Sequence, residues 1–304
     1  MNKKVQLVLG SGGARGLAHI GVIEMLLQDG YEIVEVAGCS MGAVIGGMYC
    51  AGYLSEYREW LSKLNKHDVY RLFDLTFSPH GLVKGERIFD VLKHITGEQV
   101  IENLPVPFTA VATDMLGRSE VHFKSGNLYR ALRASTGIPG VFTPVSEDQY
   151  LFVDGGVLNP LPINLMKRQD DTIIVAVNLN GAFVNEVVST GSPESAGFVE
   201  TAKQDLFSRL RHYFSAREKD TIKTQIAAPV TFSMFELLNA SYDSTLDRVV
   251  ELTLALNHVD ILIEIPRNVC AVFDFHRTAE LIDIGKNAYT DAMDKFKRSK
   301  NVSL

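Results

Sequence analysis

The chain has 304 residues, of which 46% are hydrophobic and 22% are charged, and its formal net charge at pH 7 is -6. This composition is typical of a globular protein that forms one large domain or two small ones. The acidic balance argues against a nucleic-acid-binding protein, which needs a basic surface to displace counterions from phosphates.

The cysteines and the lengths of the apolar runs indicate in which cellular compartment the protein is expected. Cys39, Cys50 and Cys270 lack the spacing of metal ligands, and so odd and sparse a set is typical of a reduced intracellular protein. The first apolar run has only about five residues, whereas a signal peptide needs roughly 7–15. No later run approaches the ~20 apolar residues of a membrane span. We therefore expect a cytoplasmic protein whose membrane contact, if it has any, is peripheral.

The first 180 residues alternate short apolar runs with helical patterns. Strands are predicted at residues 5–9, 34–37, 108–112, 151–153 and 172–179, and helices at residues 17–28, 41–51, 85–96 and 126–134. In the first helix apolar residues recur along one stripe, and Gly30 stands where a helix stop belongs. This alternation predicts an α/β fold with a mostly parallel sheet and helices on both of its faces.

The pattern changes after residue 181. Residues 181–197 are rich in Asn, Ser, Gly and Glu, which predicts an exposed loop. Further helices are predicted at residues 199–226, at 233–257 and from residue 278 onward, with a short strand at 261–265. Because that strand is expected to return to the same sheet, we predict a single domain over residues 1–304. Its core covers about residues 5–180, and a helical carboxyl-terminal extension covers about 199–304.

Ser40 stands between two glycines at the end of a predicted buried strand, in the segment GCSMG. Glycines on both sides permit the sharp, strained turn that lifts a nucleophilic serine above a sheet edge. The helix that follows offers free N–H groups to a developing negative charge. The alternative is a tight turn with a capping serine, since serine is a preferred helix N-cap. The strand-to-helix context favours a nucleophile.

A glycine-rich segment, GSGGARG at residues 10–16, joins the first predicted strand to the first helix. It lacks the spacing of a dinucleotide-binding loop, because Arg15 stands where the third glycine belongs, and it has no Lys-Ser/Thr pair of a phosphate loop. It does present several backbone N–H groups beside the strand that ends at Ser40. That arrangement suits an oxyanion hole for acyl transfer. An anion-binding loop without catalysis is the alternative.

Asp154 ends another predicted strand and precedes two glycines. An activated serine needs a base within hydrogen-bond reach, and a carboxylate in this position would serve. Taken alone, the segment favours a simple turn, because Asp-Gly is among the commonest turn dipeptides. The apolar residues 151–153 predict that Asp154 is partly buried, which would raise its pKa and improve its match to a serine hydroxyl.

Together these segments resemble the patatin-like phospholipase family, and more closely its bacterial RssA-type branch. GSGGARG resembles the family's oxyanion loop, GCSMG its nucleophile elbow, and DGG at residues 154–156 the segment that carries its catalytic aspartate. Further segments that resemble the family are ATD at 112–114, RASTGIPG at 133–140 and FTP at 142–144. LIEIP at 262–266 and DFHRTAEL at 274–281 resemble the carboxyl-terminal region of the branch, so the likeness covers most of the chain.

The resemblance implies a three-layer α/β/α fold and a serine acyl hydrolase acting on lipid esters, such as a phospholipase, lysophospholipase or simpler esterase. In this activity Ser40 would be the nucleophile and Asp154 its base, without a metal or other cofactor. The implied oxyanion-hole residues are Gly12, Gly13, Arg15 and Met41. Ser11 replaces a glycine found in many members, but it still offers a backbone N–H.

Other assignments of the site remain open. A Ser-Asp-His triad would take His258 or His276 as its base, since both come late enough in the chain, although the resemblance favours two catalytic residues. Asp114 is a second candidate acid, for which a loop position is the simpler explanation. Cys39 is expected to be a packed thiol that points away from the serine.

Two further functions compete with the acyl hydrolase. An acyltransferase would pass the acyl group to an acceptor other than water. A regulatory adaptor would keep the fold and bind a partner protein, but such a protein has no need of Ser40, Asp154 and the glycine-rich loop together. The helices predicted after residue 199 are compatible with a lid, a homodimer contact or a surface that faces a membrane.

Overall fold

The computed structural model describes residues 4–78, 81–182 and 234–302. The chain divides into two compact units, one of Met1–Val184 with Tyr242–Leu304 and the other of Asn185–Ser241. Every candidate residue named above belongs to the first unit. The helix predicted at 199–226, and all but the first two residues of the loop predicted at 181–197, lie outside the described residues.

The first unit is built around one large sheet. Its strands are β1 (Lys4–Leu9), β2 (Glu32–Cys39), β5 (Phe108–Asp114), β6 (Ser119–Phe123), β7 (Val145–Glu147), β8 (Tyr150–Asp154), β9 (Thr172–Gly181) and β10 (Ile261–Pro266), while β3 (Leu75–Ser78) and β4 (Gly81–Val83) form a separate pair. The strand order is β10-β9-β1-β2-β5-β8-β7, with β6 also paired to β5. The first five strands of this order pair in parallel, whereas β6, β7 and β8 pair antiparallel. The predicted mostly parallel sheet is confirmed, and the late strand does return to it.

The helices are α1 (Ala18–Gln28), α2 (Met41–Cys50), α3 (Leu54–Ser62), α4 (Lys66–Leu72), α5 (Glu86–Thr96), α6 (Leu128–Ser135), α7 (Met234–Leu256) and α8 (Thr278–Val302). The predicted helices agree with α1, α2, α5, α6, α7 and α8 to within a few residues. The sequence analysis missed α3 and α4, although α4 has a capping box in which Asn65 and Asp68 reciprocally cap its first turn. Among the helices of the described ranges, none is long and apolar enough to cross a membrane.

The core lies on both faces of the sheet. Val5, Leu7 and Leu9 of β1 are fully buried and pack with α1 on one face. Val8, between them in sequence, is buried in a second cluster that includes Leu246 of α7 on the other face. A strand buried on both faces needs a mostly apolar run, which explains the sequence VQLVL. Its one polar residue, the buried Gln6, hydrogen-bonds to Glu35 and Thr172. Helices on both faces make the architecture α/β/α.

The sheet register brings the candidate residues to one edge. Because β1 and β2 are parallel, the glycine-rich loop after β1 and Ser40 after β2 both follow carboxyl ends of strands. Cys39 pairs with Val111 of β5, and the next residue of β5, Ala112, pairs with Asp154 of β8. Ser40 and Asp154 are therefore separated by the width of a single strand.

Candidate active site

Ser40 forms the turn between β2 and α2 in a strained conformation. Its φ of 55° is one of few positive values among non-glycine residues of the described chain, and such strain persists only where the surroundings enforce it. A Cβ atom on Gly38 would lie 2.5 Å from the carbonyl oxygen of Gly42, so the flanking positions leave no room for side chains. The turn thus fixes Ser40 above the sheet edge, as the sequence predicted for a nucleophile elbow.

Ser135 fixes the backbone of this turn. The Ser40 N–H donates to Ser135 Oγ at 2.9 Å, and that hydroxyl in turn donates to the carbonyl oxygen of Val111 at 2.6 Å. Ser135 is fully buried, so water does not compete for these bonds. The hydroxyl ties the strained turn to the neighbouring strand β5.

Ser135→Ala should therefore reduce both stability and activity. It leaves the buried Ser40 N–H without an acceptor, which costs about 1–3 kcal/mol of unfolding free energy. If Ser40 is the nucleophile that the sequence predicts, a loosened turn should also lower kcat by about tenfold or more, because small displacements of reacting groups slow catalysis steeply. Urea unfolding and ester hydrolysis would measure the two effects. Ser62→Ala is the control, since Ser62 is exposed and bonds only to the nearby Glu59 carbonyl oxygen; equal behaviour of the two variants would contradict the assignment.

Ser40 and Asp154 form a hydrogen-bonded pair. Ser40 Oγ donates to Asp154 Oδ2 at 2.5 Å, and the two residues are 4% and 2% exposed. The other carboxylate oxygen, Oδ1, accepts the Gly156 N–H at 2.7 Å and lies 3.9 Å from Cys39 Sγ. The thiol is fully buried, as the sequence analysis expected of a packed cysteine, and it faces the Asp154 carboxylate.

Burial dominates the electrostatics of this pair. It raises the pKa of Asp154 to about 6, against the opposing effect of the hydrogen bonds from Ser40, Gly156 and Cys39. Burial of Asp154 was predicted from its apolar approach, and the structure confirms it. At neutral pH the carboxylate is ionised yet basic enough to accept a proton from a serine hydroxyl. Burial also raises the pKa of Cys39 well above its usual value, so its thiol stays protonated.

The glycine-rich loop is anchored on both sides of Gly12 and Gly13. The N–H groups of Ser11 and Ala14 donate to the carbonyl oxygens of Pro160 and Val272, each at 2.9 Å. In contrast, the N–H groups of Gly12 and Gly13 find no acceptor within the part of the chain that the structure describes. They remain available to an oxyanion, as an oxyanion hole requires.

The loop packs directly against the start of α2. A Cβ atom on Gly16 would lie 2.6 Å from Met41 Cβ, and one on Gly42 would lie 2.7 Å from the carbonyl oxygen of Gly10. Backbone atoms approach this closely only because both positions are glycine. The Met41 N–H at the first turn of α2 therefore belongs to the same edge as the loop.

Arg15 supports the loop through its side chain. Its Nε donates to the Gly12 carbonyl oxygen at 3.1 Å, and one guanidinium nitrogen donates to the Arg267 carbonyl oxygen at 2.8 Å. The residue is 8% exposed, and burial followed by the nearby Arg267 charge lowers its pKa. The guanidinium is thus committed to backbone carbonyls, and only the backbone of Arg15 is left for a role in the oxyanion hole.

Comparisons with known proteins identify the family. A model of the patatin-like phospholipase family matches residues 7–167. Over 96% of its length the chain is 37% identical to an uncharacterized NTE family protein of Mycobacterium tuberculosis, of which it covers 92%. The chain belongs to the patatin-like phospholipase family. This confirms the resemblance found in the sequence, while the RssA-type branch stays a prediction.

The chain also matches a more distant relative and a solved structure. The chain is 27% identical to neuropathy target esterase sws of Drosophila melanogaster over 72% of its own length, although it spans only 17% of that protein. The crystal structure of VipD from Legionella pneumophila matches with a TM-score of 0.56 and 14% identity, covering 97% of this chain and 67% of VipD. At that identity the match shows a shared fold. Family membership supports lipid hydrolase activity in general terms.

The candidate histidine bases do not hydrogen-bond to Ser40 in the part of the chain that the structure describes. His258 pairs with Asp260, and Asp260 accepts the N–H of Ile174 near the start of β9, at the opposite end of the parallel strands. His276 lies in a short 3-10 turn just before α8. Within residues 4–78, 81–182 and 234–302, no histidine hydrogen-bonds to Ser40 or Asp154.

Asp114 takes a structural position. Its carboxylate accepts the N–H groups of Leu116, Gly117 and Leu151, which closes the turn after β5. This agrees with the loop position that the sequence analysis gave as the simpler explanation for Asp114.

Sequence reasoning missed His19, which supports the loop from beneath. His19 is fully buried, and its Nε2 donates to the Gly10 carbonyl oxygen at 2.9 Å. Burial lowers its pKa to about 4, so the ring is neutral at pH 7. A lone imidazole among the apolar residues of the first helix was the available signal, since a buried polar group requires a partner.

Proposed function

We propose that this patatin is a serine hydrolase of lipid esters in which Ser40 is the nucleophile and Asp154 the general base. The observation that carries the proposal is the 2.5 Å hydrogen bond between Ser40 Oγ and Asp154 Oδ2, buried at the sheet edge that also carries the glycine-rich loop. Nucleophile, base and unpaired N–H groups are the three parts that acyl transfer requires.

Acylation follows from this arrangement. Ser40 Oγ attacks the ester carbonyl carbon while its proton passes to Asp154. The carbonyl electron pair moves onto oxygen, where the N–H groups of Gly12, Gly13 and Met41 stabilise the oxyanion. Collapse of the intermediate breaks the ester bond, and the leaving alcohol takes the proton from Asp154. Water then attacks the acyl-enzyme by the reverse sequence of proton transfers.

Exposed apolar side chains near the pair support a lipid substrate. Leu158, four positions after Asp154, is 38% exposed, and Val272, whose side chain adjoins Gly13, is 40% exposed. Exposed apolar side chains in the segments that carry the base and contact the glycine-rich loop suit the acyl chain of a lipid ester. The names of the family and of its esterase relative point to the same class of substrate.

Labelling with a fluorophosphonate probe tests the nucleophile. The wild-type protein should take up one probe per chain, peptide mapping should place the label on Ser40, and Ser40→Ala should take up none. Hydrolysis of p-nitrophenyl esters, phospholipids and lysophospholipids by the same two proteins then defines the substrate. A folded wild-type protein without label would overturn the hydrolase and favour an adaptor that binds a partner. Product analysis with an added alcohol separates hydrolysis from acyl transfer.

A further inference from the structure

Three oxygen atoms converge above Gly156, beside the Ser40–Asp154 pair. A Cβ atom added to Gly156 would lie 3.0 Å from Asp154 Oδ1 and 3.2 Å from both Ser11 Oγ and Tyr242 OH. These oxygens come from the glycine-rich loop, β8 and α7, three elements far apart in sequence. All three lie within 3.2 Å of that one point, so they face the same small polar region next to the base.

The Ser11 hydroxyl is held in this space without a partner. Ser11 is 4% exposed, and its Oγ makes no hydrogen bond to any described residue. Its backbone is fixed at both ends, because its N–H donates to Pro160 and its carbonyl oxygen accepts from Asn180 Nδ2 at 3.2 Å. A buried hydroxyl without a protein partner is costly unless a water molecule or a ligand bonds to it.

The hydroxyl of Tyr242 lies at the same place, and its ring is held by packing. Its ring packs against the apolar cluster that includes Leu161 and Leu246, which fixes its direction. Burial, followed by the negative charge of Asp154, raises the pKa of Tyr242 far above its usual value. The phenol therefore stays protonated at every pH at which the enzyme would work, and it can donate a hydrogen bond.

We propose that Ser11 and Tyr242 bind the water molecule that hydrolyses the acyl-enzyme. The inference rests on the proposed function and adds two residues to it. Once Ser40 is acylated it no longer donates to Asp154 Oδ2, and a water molecule donates to Oδ1, the carboxylate oxygen that lies beside Ser11 and Tyr242. The first hydrogen of this water is donated to Asp154 and the second to Ser11 Oγ. The water oxygen accepts a hydrogen bond from Tyr242 OH. One lone pair of the water remains for attack.

The step balances without a further reactant. The water lone pair forms a bond to the acyl carbonyl carbon, one water proton passes to Asp154, and the carbonyl electron pair moves to the oxyanion. When the carbonyl reforms, the bond between that carbon and Ser40 Oγ breaks. Ser40 recovers its proton from Asp154, and the carboxylic acid leaves.

Methanol distinguishes this arrangement because it has one O–H group where water has two. Methanol can donate to Asp154, but it then has no hydrogen for Ser11. Ser11→Ala should therefore slow hydrolysis and spare methanolysis, raising the ratio of methyl ester to free acid by about three- to tenfold at a fixed methanol concentration. This ratio does not depend on which step limits turnover. An unchanged ratio would overturn the role of Ser11.

Tyr242→Phe should slow the attack by either acceptor and leave the product ratio unchanged. With enzyme in excess over a p-nitrophenyl ester, we expect unaltered release of p-nitrophenolate and about tenfold slower release of the fatty acid. Tyr289→Phe is the matched control, because Tyr289 OH bonds to Asp29, which ends α1 at the other end of that helix from the glycine-rich loop. Equal slowing of both releases would indicate a structural role and overturn the proposal, as would normal release of the acid.

The outcomes also separate this inference from the proposed function. If Ser40 takes up no fluorophosphonate and forms no acyl-enzyme, the proposed function fails and the water site fails with it. If Ser40 is labelled and acylated but the Ser11 and Tyr242 variants keep wild-type ratios and rates, the hydrolase stands and only the water site is wrong.

Discussion

Replacing Asp154 with asparagine is expected to lower kcat/KM for ester hydrolysis by about 10³- to 10⁴-fold, because an amide cannot accept the Ser40 proton. Asparagine has nearly the same shape, so its side-chain oxygen can still accept the Gly156 N–H while its NH2 group faces Ser40 Oγ, which then accepts instead of donating. Steady-state kinetics on a p-nitrophenyl ester would measure the loss. Activity of Asp154→Asn within tenfold of wild type would show that another group is the base.

The wild-type enzyme should show the ionisation of the same carboxylate. Since burial raises the pKa of Asp154 to about 6, kcat/KM should rise with pH through an apparent pKa near 6 and level off above it. The residual activity of Asp154→Asn should lack this transition. A wild-type profile that stays flat down to pH 4 would contradict the assignment of Asp154 as base.

Asp154→Asn should also stabilise the folded protein at high pH. The folded-state pKa of about 6 lies above that of an unfolded aspartate, so the stability linked to this group is present below pH ~4 and lost as pH rises through about 6. A shift of about two units corresponds to about 3 kcal/mol of destabilisation by the ionised form. Asparagine avoids this cost, so urea unfolding at pH 8 should show the variant to be more stable than wild type by up to that amount, and near pH 4 the two should agree.

Asp114→Asn is a control for which we expect the opposite change in unfolding free energy at pH 8. Burial favours a higher pKa at Asp114, but the N–H groups of Leu151, Gly117 and Leu116 outweigh it and hold the pKa below its usual value. This carboxylate therefore stabilises the fold above its unfolded pKa, and that stability is lost as pH falls. Asp114→Asn should destabilise the protein at pH 8, whereas Asp154→Asn stabilises it. Destabilisation by both substitutions would contradict the claim that burial of the ionised Asp154 carboxylate destabilises the fold.

The local parts of the site could be predicted from sequence because local chemistry determines them. Glycines on both sides of Ser40 and after Asp154 mark turns at strand ends, and parallel strands place the turns after β1 and β2 at one edge of the sheet. Asp154 reaches that edge for a reason outside this rule, because β8 is antiparallel and its last residue pairs with Ala112 near the end of β5. The apolar residues before Asp154 were enough to predict that its carboxylate is buried. These inferences need only neighbours in the chain and the α/β class of the fold.

The supporting residues could not be predicted because their roles depend on the packing of distant elements. Ser135 bonds to the N–H of Ser40, 95 residues away, and nothing near Ser135 in the sequence indicates that contact. Tyr242 lies on a helix whose sequence does not indicate which part of the sheet its apolar side packs against. The partner of the Cys39 thiol could not be predicted for a related reason: β8 places Asp154 beside β5, so the carboxylate lies close to the thiol as well as to the serine.

Gly42→Ala is expected to damage the site through sterics alone. An added Cβ would overlap the carbonyl oxygen of Leu9 and lie 2.7 Å from that of Gly10, and both obstacles are backbone atoms that cannot rotate away. Such overlap costs about 3 kcal/mol, and the gain of about 1 kcal/mol in helix propensity offsets only part of it. Relief requires α2 to move away from β1, which separates Met41 from the glycine-rich loop. We therefore expect kcat to fall by about 100-fold or more, since oxyanion stabilisation depends on sub-ångström placement.

Gly47→Ala is the control for Gly42→Ala, because Gly47 lies on the same helix. It shows whether the loss of activity comes from the overlap at residue 42 or from any glycine-to-alanine change in α2. The atoms nearest to a Cβ there would be the ends of the Leu128 and Leu132 side chains, at 3.2–3.4 Å, and these can shift slightly. Its unfolding free energy should stay within about 1 kcal/mol of wild type, with normal kcat. If Gly42→Ala also kept normal kcat, the N–H groups of α2 and the loop would not need to face one oxyanion together. The oxyanion hole would then have to come from the loop alone.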